Sequence, residues 1–228
     1  MYFSRISFAS SADRDVVSLA RQVCADAYRE HQSLWRLFEK DPDAERDFLF
    51  RREQVGRWPR YFMVSDREPA YIDGLWRIES KPYAPGIASG QVLAFSLRVN
   101  PVVTRTNEAG RKQRHDVVMD RKKQIDYSSM TASERPPMAN LIDEAGIHWL
   151  ERRAEKHGFS FDPDGVRVDG YLRHRVSKKG GKTICFSTLD YTGLLAVDDT
   201  ALFKTALFQG IGPAKAFGCG LLLVRRTS

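Results

Sequence analysis

The chain has 228 residues, of which 36 are Lys or Arg and 29 are Asp or Glu, and its formal net charge is +7. This length suits two packed domains with modest cores, and the positive charge favours a polyanionic partner such as nucleic acid. Three widely separated cysteines exclude a disulfide framework or a cysteine-rich zinc site, and no apolar run approaches the about 20 residues of a membrane helix. We therefore expect a cytoplasmic protein without a membrane partner or a bound metal.

The first third of the chain has the residue pattern of a β-α-β-β-α-β unit. Strands are predicted over residues 2–8, 48–53, 61–65 and 76–81. Apolar residues at helical spacing over 16–38 predict one kinked helix or two, before Asp41 and Pro42 end the pattern. We also expect a short helix around 69–74. This order of elements is the ferredoxin-like arrangement, which RNA-recognition modules share.

A stretch with several prolines and glycines, residues 81–90, opposes both helix and strand and is the most linker-like part of the chain. We place the domain boundary there, with one domain over residues 1–85 and a second over 91–228. The elements then repeat in the same order, although the two halves share no obvious sequence repeat. The sequence thus predicts an α+β protein with two tandem ferredoxin-like domains.

The second domain is predicted in more detail from its apolar patterns. Its strands are expected at 93–99, 166–176, 183–191 and the final apolar run 221–224. A helix over 141–154 should end at Gly158, a typical position for glycine after a helix. A second helix over 199–209 should turn Leu202, Phe203 and Ala206 inward.

Two basic segments of this domain are candidate RNA contacts. The segment 105–123 has few apolar residues and is expected to be a solvated, mobile loop. Its candidate contacts are Arg105, Arg111, Lys112 and Arg114. A β-hairpin around residue 180 adds Arg173, Arg175, Lys178, Lys179 and Lys182. Such charge also protects edge strands against aggregation, and the sequence leaves both interpretations of the hairpin open.

A glycine-rich stretch precedes the last strand and consists of two Gly-apolar-Gly pairs that flank five residues with a lysine. Its candidate RNA-binding residues are Gly210, Gly212, Lys215, Gly218 and Gly220. Glycine admits positive φ and close backbone approach, so this symmetric spacing favours a loop that fits a phosphate chain. A helix end followed by a turn into a strand is the alternative.

The candidate catalytic residues are Tyr28 and His31, because three-residue spacing places both side chains on one face of a helix. Histidine can exchange a proton near neutral pH, whereas a phenol is a weak base there, so Tyr28 is expected mainly to orient the substrate. Packing at the edge of the core is the alternative for both. Arg36 lies off the face of His31 and is a weaker candidate for stabilising transition-state charge.

Several segments together resemble the CasE family of precursor-RNA endoribonucleases from type I-E CRISPR systems, along nearly the whole chain. The resembling segments are 1–4, 28–38, 42–50, 97–101, 149–153 and 210–222, of which the last is the most diagnostic. Tyr28 and His31 match the Tyr-x-x-His of that family. The resemblance implies two ferredoxin-like domains and a repeat-RNA hairpin as substrate. It also implies a single cut at the 3′ base of that hairpin, made without a metal or cofactor.

The resemblance further implies that the protein stays bound to the mature guide RNA within the Cascade complex. If the 2′-OH of the RNA is the nucleophile, the products should carry a 2′,3′-cyclic phosphate and a 5′-OH. An RNA-hairpin-binding protein of the same fold that does not cleave is the main alternative. A DNA-binding regulator would also be basic, but the sequence contains no helix-turn-helix or zinc-finger pattern.

Overall fold

The computed structural model describes residues 1–9, 14–38, 46–70, 74–177 and 183–227. The first sheet contains β1 (Tyr2–Phe8), β2 (Phe48–Val55), β3 (Trp58–Ser65) and β4 (Trp76–Pro82). Two helices, α1 (Arg14–Val23) and α2 (Ala27–Trp35), separate β1 from β2. The strands are antiparallel in the order β2-β3-β1-β4, which is the ferredoxin-like order.

The side chains of β1 point alternately to the two faces of the first sheet, which explains how this domain packs. Ile6 and Phe8 point to one face of the sheet, where they join the buried apolar residues of both helices, including Leu34. Phe3 points to the other face, towards the second domain. The helical pattern of the sequence therefore resolves into two helices on one face, and Leu37 and Phe38 continue the same core beyond the end of α2.

One prediction for this domain differs from the structure. The short helix expected around 69–74 is not formed at Pro69, Ala70 or Gly74, and residues 71–73 lie outside the described residues. The backbone N–H of Ala70 instead bonds the carbonyl of Leu37 at 2.7 Å, which ties this connection to the end of the α2 segment.

The second sheet belongs to the rest of the chain. Its elements are β5 (Val92–Val99), β6 (Val102–Thr106), β7 (Lys112–Asp116), α3 (Val117–Gln124), α4 (Met138–Lys156), β8 (Phe159–Ser160), β9 (Arg167–Ser177), β10 (Thr183–Val197), α5 (Thr200–Gln209) and β11 (Leu222–Arg226). The sheet runs β11-β5-β10, with β9 on the first part of β10 and β8 on its last two residues. Without β8, this is again the ferredoxin-like order, so the predicted fold class is confirmed.

The basic segment 105–123 is not a loop, which corrects the sequence-based prediction. It forms most of the β6–β7 hairpin and of α3, and the side chain of Asp116 caps α3 by accepting from the N–H of Met119 at 2.9 Å. The hairpin is polar over residues 104–106 and 112–116, so its sequence lacks the alternation of a half-buried strand. Val117 and Val118 are buried and anchor the segment to the core.

The helix α5 also differs in one detail from its prediction. Phe203 and Ala206 are buried as expected, but Leu202 is 45% exposed. An added Cβ on Gly158 would lie 2.8 Å from the Cβ of Leu202, so the helix packs here against the backbone that follows α4. That backbone supports the start of α5 while the rest of the leucine side chain faces solvent.

The two domains meet through a small apolar cluster. Leu49 of β2 and Val64 of β3 pack with Leu221, which immediately precedes β11, and all three are nearly inaccessible to solvent. Tyr83 lies edge-on to Phe208 of α5, with ring centroids 5.8 Å apart. This contact holds β2 and α2 of the first domain beside the glycine-rich loop of the second. None of the described helices has the length and hydropathy needed to span a membrane.

Candidate active site between the two domains

Helix α2 positions both candidate catalytic side chains. It begins at Ala27 because the carboxylate of Asp26 accepts from the N–H of Arg29 at 2.8 Å and caps the helix. Tyr28 and His31 then lie one turn apart, and both are half-buried. The buried carboxylate of Glu30 binds Arg52 of β2 at 2.9 Å and fixes the helix against the sheet.

The ring of His31 lies against aromatic side chains. It faces Phe48 and Phe50 of β2 at centroid distances of 5.8 and 6.3 Å, and it meets Trp35 edge-on at 5.8 Å. Its Nδ1 is buried and has no hydrogen-bond partner among the described residues. Imidazolium would need an acceptor for each N–H, so this environment disfavours the protonated ring. Burial, and secondarily the charge of Arg46, lower the pKa of His31 to about 4.

Arg46 is a site residue that the sequence analysis did not identify. Its Nε is buried without a hydrogen-bond partner in the described part of the chain, and burial lowers the pKa of its guanidinium. Its charge acts on both His31 and Lys215, which belong to different domains. Fourteen residues separate Arg46 from His31 in the chain, so no local spacing relates the two. The only sequence signal for Arg46 was its place in segment 42–50, which resembles the CasE family.

The glycine-rich loop reaches the same place from the second domain. After α5, a single 3₁₀ turn forms at Lys215–Phe217, and Gly218 follows with φ +76°. A Cβ added to Gly218 would lie 3.2 Å from the ring of Phe50, the same ring that faces His31. Lys215 is half-buried, and burial followed by the charge of Arg46 lowers its pKa. The loop therefore brings a second cation towards His31.

The outermost glycines of this loop close it onto itself. The N–H of Ile211 donates to the carbonyl of Gly220 at 2.9 Å, and both Gly210 and Gly220 are buried. A Cβ on Gly210 would lie 2.9 Å from the carbonyl oxygen of Gly220, so no larger residue fits this approach. These two glycines therefore shape the loop itself. This agrees with the alternative interpretation of the glycine-rich stretch, a helix end followed by a turn into a strand. Gly212 and Lys215 are half-exposed on its open side.

The β9–β10 hairpin extends beside the loop and carries two of the predicted cations among its described residues. Arg173 and Arg175 are exposed on one face of β9. On the other face His174 stacks on Phe186 at 4.8 Å, and Phe186 stacks on Phe217 of the loop at 4.9 Å. The predicted contacts Lys178, Lys179 and Lys182 lie outside the described residues.

The remaining candidates lie elsewhere in the structure. Arg105, Arg111, Lys112 and Arg114 are exposed on the β6–β7 hairpin, which packs against α3. Arg36 is exposed at the end of α2 and is not among the charges that shift the pKa of His31. The transition-state role of Arg36 stays a prediction, and Arg46 is the cation whose charge acts on His31. In the described ranges, no three His, Cys, Asp or Glu residues lie together in a way that could hold a metal ion.

Fold and site together define a class of protein: a basic pair of ferredoxin-like domains with a half-buried histidine where one domain meets the glycine-rich loop of the other. A model of the CRISPR associated protein family matches residues 1–226. The Cascade subunit CasE of Escherichia coli strain K12 is 31% identical over 217 residues, which cover 90% of this chain and 95% of that protein. The chain belongs to the CasE family of CRISPR-associated proteins.

Two further comparisons agree with this assignment. The CRISPR-associated endoribonuclease Cse3 of Thermus thermophilus is 28% identical over 222 residues, which cover 90% of this chain and 92% of that protein. A structure of the CRISPR endoribonuclease Cse3 bound to a 19-nucleotide RNA superposes with a TM-score of 0.69 at 26% identity, covering 99% of this chain and all of the other.

Proposed function

We propose that this protein is the endoribonuclease that processes CRISPR precursor RNA, cutting each repeat once at the 3′ base of its hairpin. The observation that carries the proposal is His31, a histidine kept neutral by its surroundings and placed against the glycine-rich loop. Family membership supports this proposal. One relative is named a CRISPR-associated endoribonuclease, and a similar solved structure is that of a CRISPR endoribonuclease bound to RNA.

The chemistry follows from the protonation state of His31. Because the ring is neutral at pH 7, one of its nitrogens can accept the proton of the 2′-OH as that oxygen attacks the adjacent phosphorus. The bond from phosphorus to the 5′-oxygen breaks, and the departing oxygen takes up a proton. The products are a 2′,3′-cyclic phosphate and a 5′-OH. Tyr28, one turn away on the same helix, would orient the 2′-OH or the phosphate.

Arg46 and Lys215 supply the positive charge for this step. The pentacovalent phosphorane carries more negative charge than the ground state, and cations held in place stabilise it without reorganisation. Lys215 is our candidate for the proton donor to the 5′-oxygen. Burial and the charge of Arg46 lower its pKa and so make its ammonium group a stronger acid.

Binding of the RNA hairpin is assigned to the basic β9–β10 hairpin. Arg173 and Arg175, with Lys178, Lys179 and Lys182, would contact stem phosphates, while Gly212 and Lys215 would lie near the scissile phosphate. One relative is named a Cascade subunit, and we propose that this protein likewise remains on the mature guide RNA with the other Cascade subunits. This assembly would act in the cytoplasm, where the precursor is transcribed.

The test is cleavage of the matching repeat RNA in excess chelator, followed by analysis of the product ends. We expect full activity, a 2′,3′-cyclic phosphate on the upstream fragment and a 5′-OH on the downstream fragment. A single 2′-deoxy substitution before the cut should abolish cleavage and leave binding intact. His31→Ala should lose at least about 100-fold in cleavage rate, since a general base contributes about 10² to 10⁴-fold.

Three outcomes would contradict the proposal: a 3′-hydroxyl end, a strict need for magnesium, or undiminished cutting by His31→Ala. Tight hairpin binding without any cleavage would instead support the alternative, an RNA-hairpin-binding protein of the same fold. Tyr28→Phe serves as the matched comparison on the same helix. It should lose less activity than His31→Ala, because it changes orientation and not proton transfer.

A further inference from the structure

A cavity of about 540 Å³ lies between the β6–β7 hairpin and α3 on one side and α4 on the other. Four arginines line it, against two carboxylates, Asp120 and Glu144. Its arginines are Arg105, Arg121, Arg152 and Arg153. The lining therefore has an excess of two positive charges, in a concave site where cations attract an anionic ligand.

The carboxylates already have partners. Asp120 binds Arg105 at 2.7 Å, and Glu144 binds Arg121 at 2.7 Å. In the described part of the chain, neither Arg152 nor Arg153 forms a salt bridge with a carboxylate. The excess charge of the cavity is thus concentrated on two consecutive residues of α4.

The positive charges around Arg153 lie close enough to lower one another's pKa values. The guanidinium of Arg153 lies 5.1 Å above the ring of Trp149, and burial together with the charge of Arg152 lowers its pKa. His157, one turn further along α4, has its pKa lowered by burial and by Lys156, Arg153 and Lys215. Like charges so close together are relieved when an anion binds between them.

The cavity is joined to the candidate active site by direct contacts. A Cβ on Gly212 would lie 3.5 Å from the ring of Trp149, and the guanidinium of Arg153 lies over that same ring. At the other end of the same loop, Gly218 borders Phe50, which faces His31. The glycine-rich loop therefore packs against the surroundings of both His31 and Arg153. The charges of Arg153 and Lys215, both partly exposed, act on the same residue, His157, so the two cations share one region of the surface.

We propose that this surface, from Lys215 through Arg153 and Arg152 into the cavity, binds the single-stranded RNA that continues 3′ of the cut. The proposal rests on the proposed function, because it takes the scissile phosphate to lie at His31. Trp149 is only 5% exposed and donates its indole N–H to the carbonyl of Val102, so it offers no open face for a base to stack on. The surface recognises phosphates and is indifferent to base sequence.

The experiment compares two uncleavable RNAs that carry a 2′-deoxy nucleotide before the cut. One ends just after the hairpin, and the other continues for about six single-stranded nucleotides, a length within the usual range of single-strand sites. The wild-type protein should bind the extended RNA more tightly. If two phosphates are contacted, the gain should add about −1.4 to the slope of log affinity against log salt and shrink about sevenfold between about 50 and about 200 mM salt.

The variants are Arg152→Gln with Arg153→Gln, and the single change Arg152→Glu on an exposed side chain, which keeps the contact of Arg153 with Trp149. Both should lose the gain from the extension and keep the affinity for the bare hairpin. The control is Arg225→Gln with Arg226→Gln on the exposed end of β11, which should keep the gain. An abasic extension should bind as well as a natural one, and an uncharged linker should give no gain.

Several results would overturn the inference. If both α4 variants still bind the extended RNA more tightly than the bare hairpin, the extension is bound elsewhere. If the wild type binds both RNAs equally, the extension has no binding site on this protein. No gain in the wild type, together with loss of Cascade assembly in the α4 variants, would assign the cavity to a protein partner. Failure of the bare hairpin to bind, or failure of the all-ribose repeat RNA to be cut, would refute the proposed function, and this inference with it.

Discussion

Cleavage by the free enzyme should be almost insensitive to acid down to about pH 5.5. The reason is the environment of His31, whose pKa is lowered to about 4 by burial against Phe48 and Phe50 and by the charge of Arg46. As a general base the ring is active only when neutral. The acid limb of kcat/KM should therefore lie near pH 4 and not near the ordinary histidine value of about 6.5.

The size of the difference makes the test decisive. With a pKa of about 4, the neutral fraction of His31 falls only about 3% between pH 7.5 and 5.5, whereas an ordinary histidine would lose about tenfold. If His31 were instead the general acid, kcat/KM would rise about a hundredfold over the same interval. The three possibilities differ by far more than the error of a rate measurement.

The assay is single-turnover cleavage at subsaturating enzyme, because kcat/KM reports groups of the free enzyme and avoids the pKa change caused by bound phosphate. Tyr28→Phe should keep the acid limb near pH 4 at a lower rate, and the residual activity of His31→Ala should lack it. A limb near pH 6.5 in the wild type would refute the assigned environment of His31. A steady rise towards acid would refute its role as the base.

The same shift affects stability. The pKa of His31 is lower in the folded than in the unfolded chain, so the unfolded state binds more protons between about pH 6.5 and 4. This contribution to stability is present above about pH 6.5 and is lost as pH falls towards 4. The full shift corresponds to roughly 3 kcal/mol, and solvent screening of a half-exposed ring reduces it to about 1–2 kcal/mol. Denaturant unfolding of wild type and His31→Gln should show this loss only in the wild type.

Three further predictions follow from the loop, the hairpin and the helix cap. Gly220→Ala, with φ +92° and a Cβ 2.9 Å from a backbone oxygen, should destabilise by about 2–3 kcal/mol, whereas Gly212→Ala, at φ +81° but with its Cβ at an ordinary contact distance of 3.5 Å from the ring of Trp149, should cost about 1 kcal/mol; equal unfolding midpoints would contradict this order. Arg173→Gln with Arg175→Gln should flatten the salt dependence of hairpin binding by about 1.4 to 1.8, and an unchanged slope would place the stem elsewhere. Asp26→Ala should lower Tm by about 2–4 °C through loss of about 1 kcal/mol of capping, and it should reduce cleavage more than binding; an unaltered melting curve would exclude the capping role.

The sequence predicted the fold well because both sheets follow simple local rules. The alternation at residues 2–8 and 93–99 marked the strands that became β1 and β5, and Gly158 correctly marked the end of α4. The break between α1 and α2 was left open for a physical reason: both helices cover the same core, so their apolar spacing runs on through the capping residue Asp26.

The errors arose where burial does not follow local pattern. The β6–β7 hairpin is polar over residues 104–106 and 112–116, and it joins the core through Val103 and the two buried valines at the start of α3. Leu202 has the spacing of a buried helical residue, but the neighbouring backbone at Gly158 covers only its Cβ. Neither outcome can be deduced from the segment alone.

The site shows the same division between local and long-range information. The one-turn spacing of Tyr28 and His31 is local, and it was visible in the sequence together with the family motif. The property that suits His31 to its role is not local, since it comes from Phe48 and Phe50 on a neighbouring strand and from Arg46. The packing of α2 against β2 within the first domain brings these groups together, and no residue near His31 in sequence encodes them.

The proposed site takes His31 from the first domain and Lys215 from the second, so the apolar contact between the domains matters for its chemistry. Leu49 alternates with Phe48 and Phe50 along β2, so the strand that packs on His31 with one face packs on Leu221 with the other. Leu221 directly follows the loop that supplies Lys215. A shift of the domains would therefore move the base and the cation relative to each other, because the same strand and the same loop form both the interface and the site. The interface residues thus hold the proposed catalytic groups, His31 and Lys215, relative to each other.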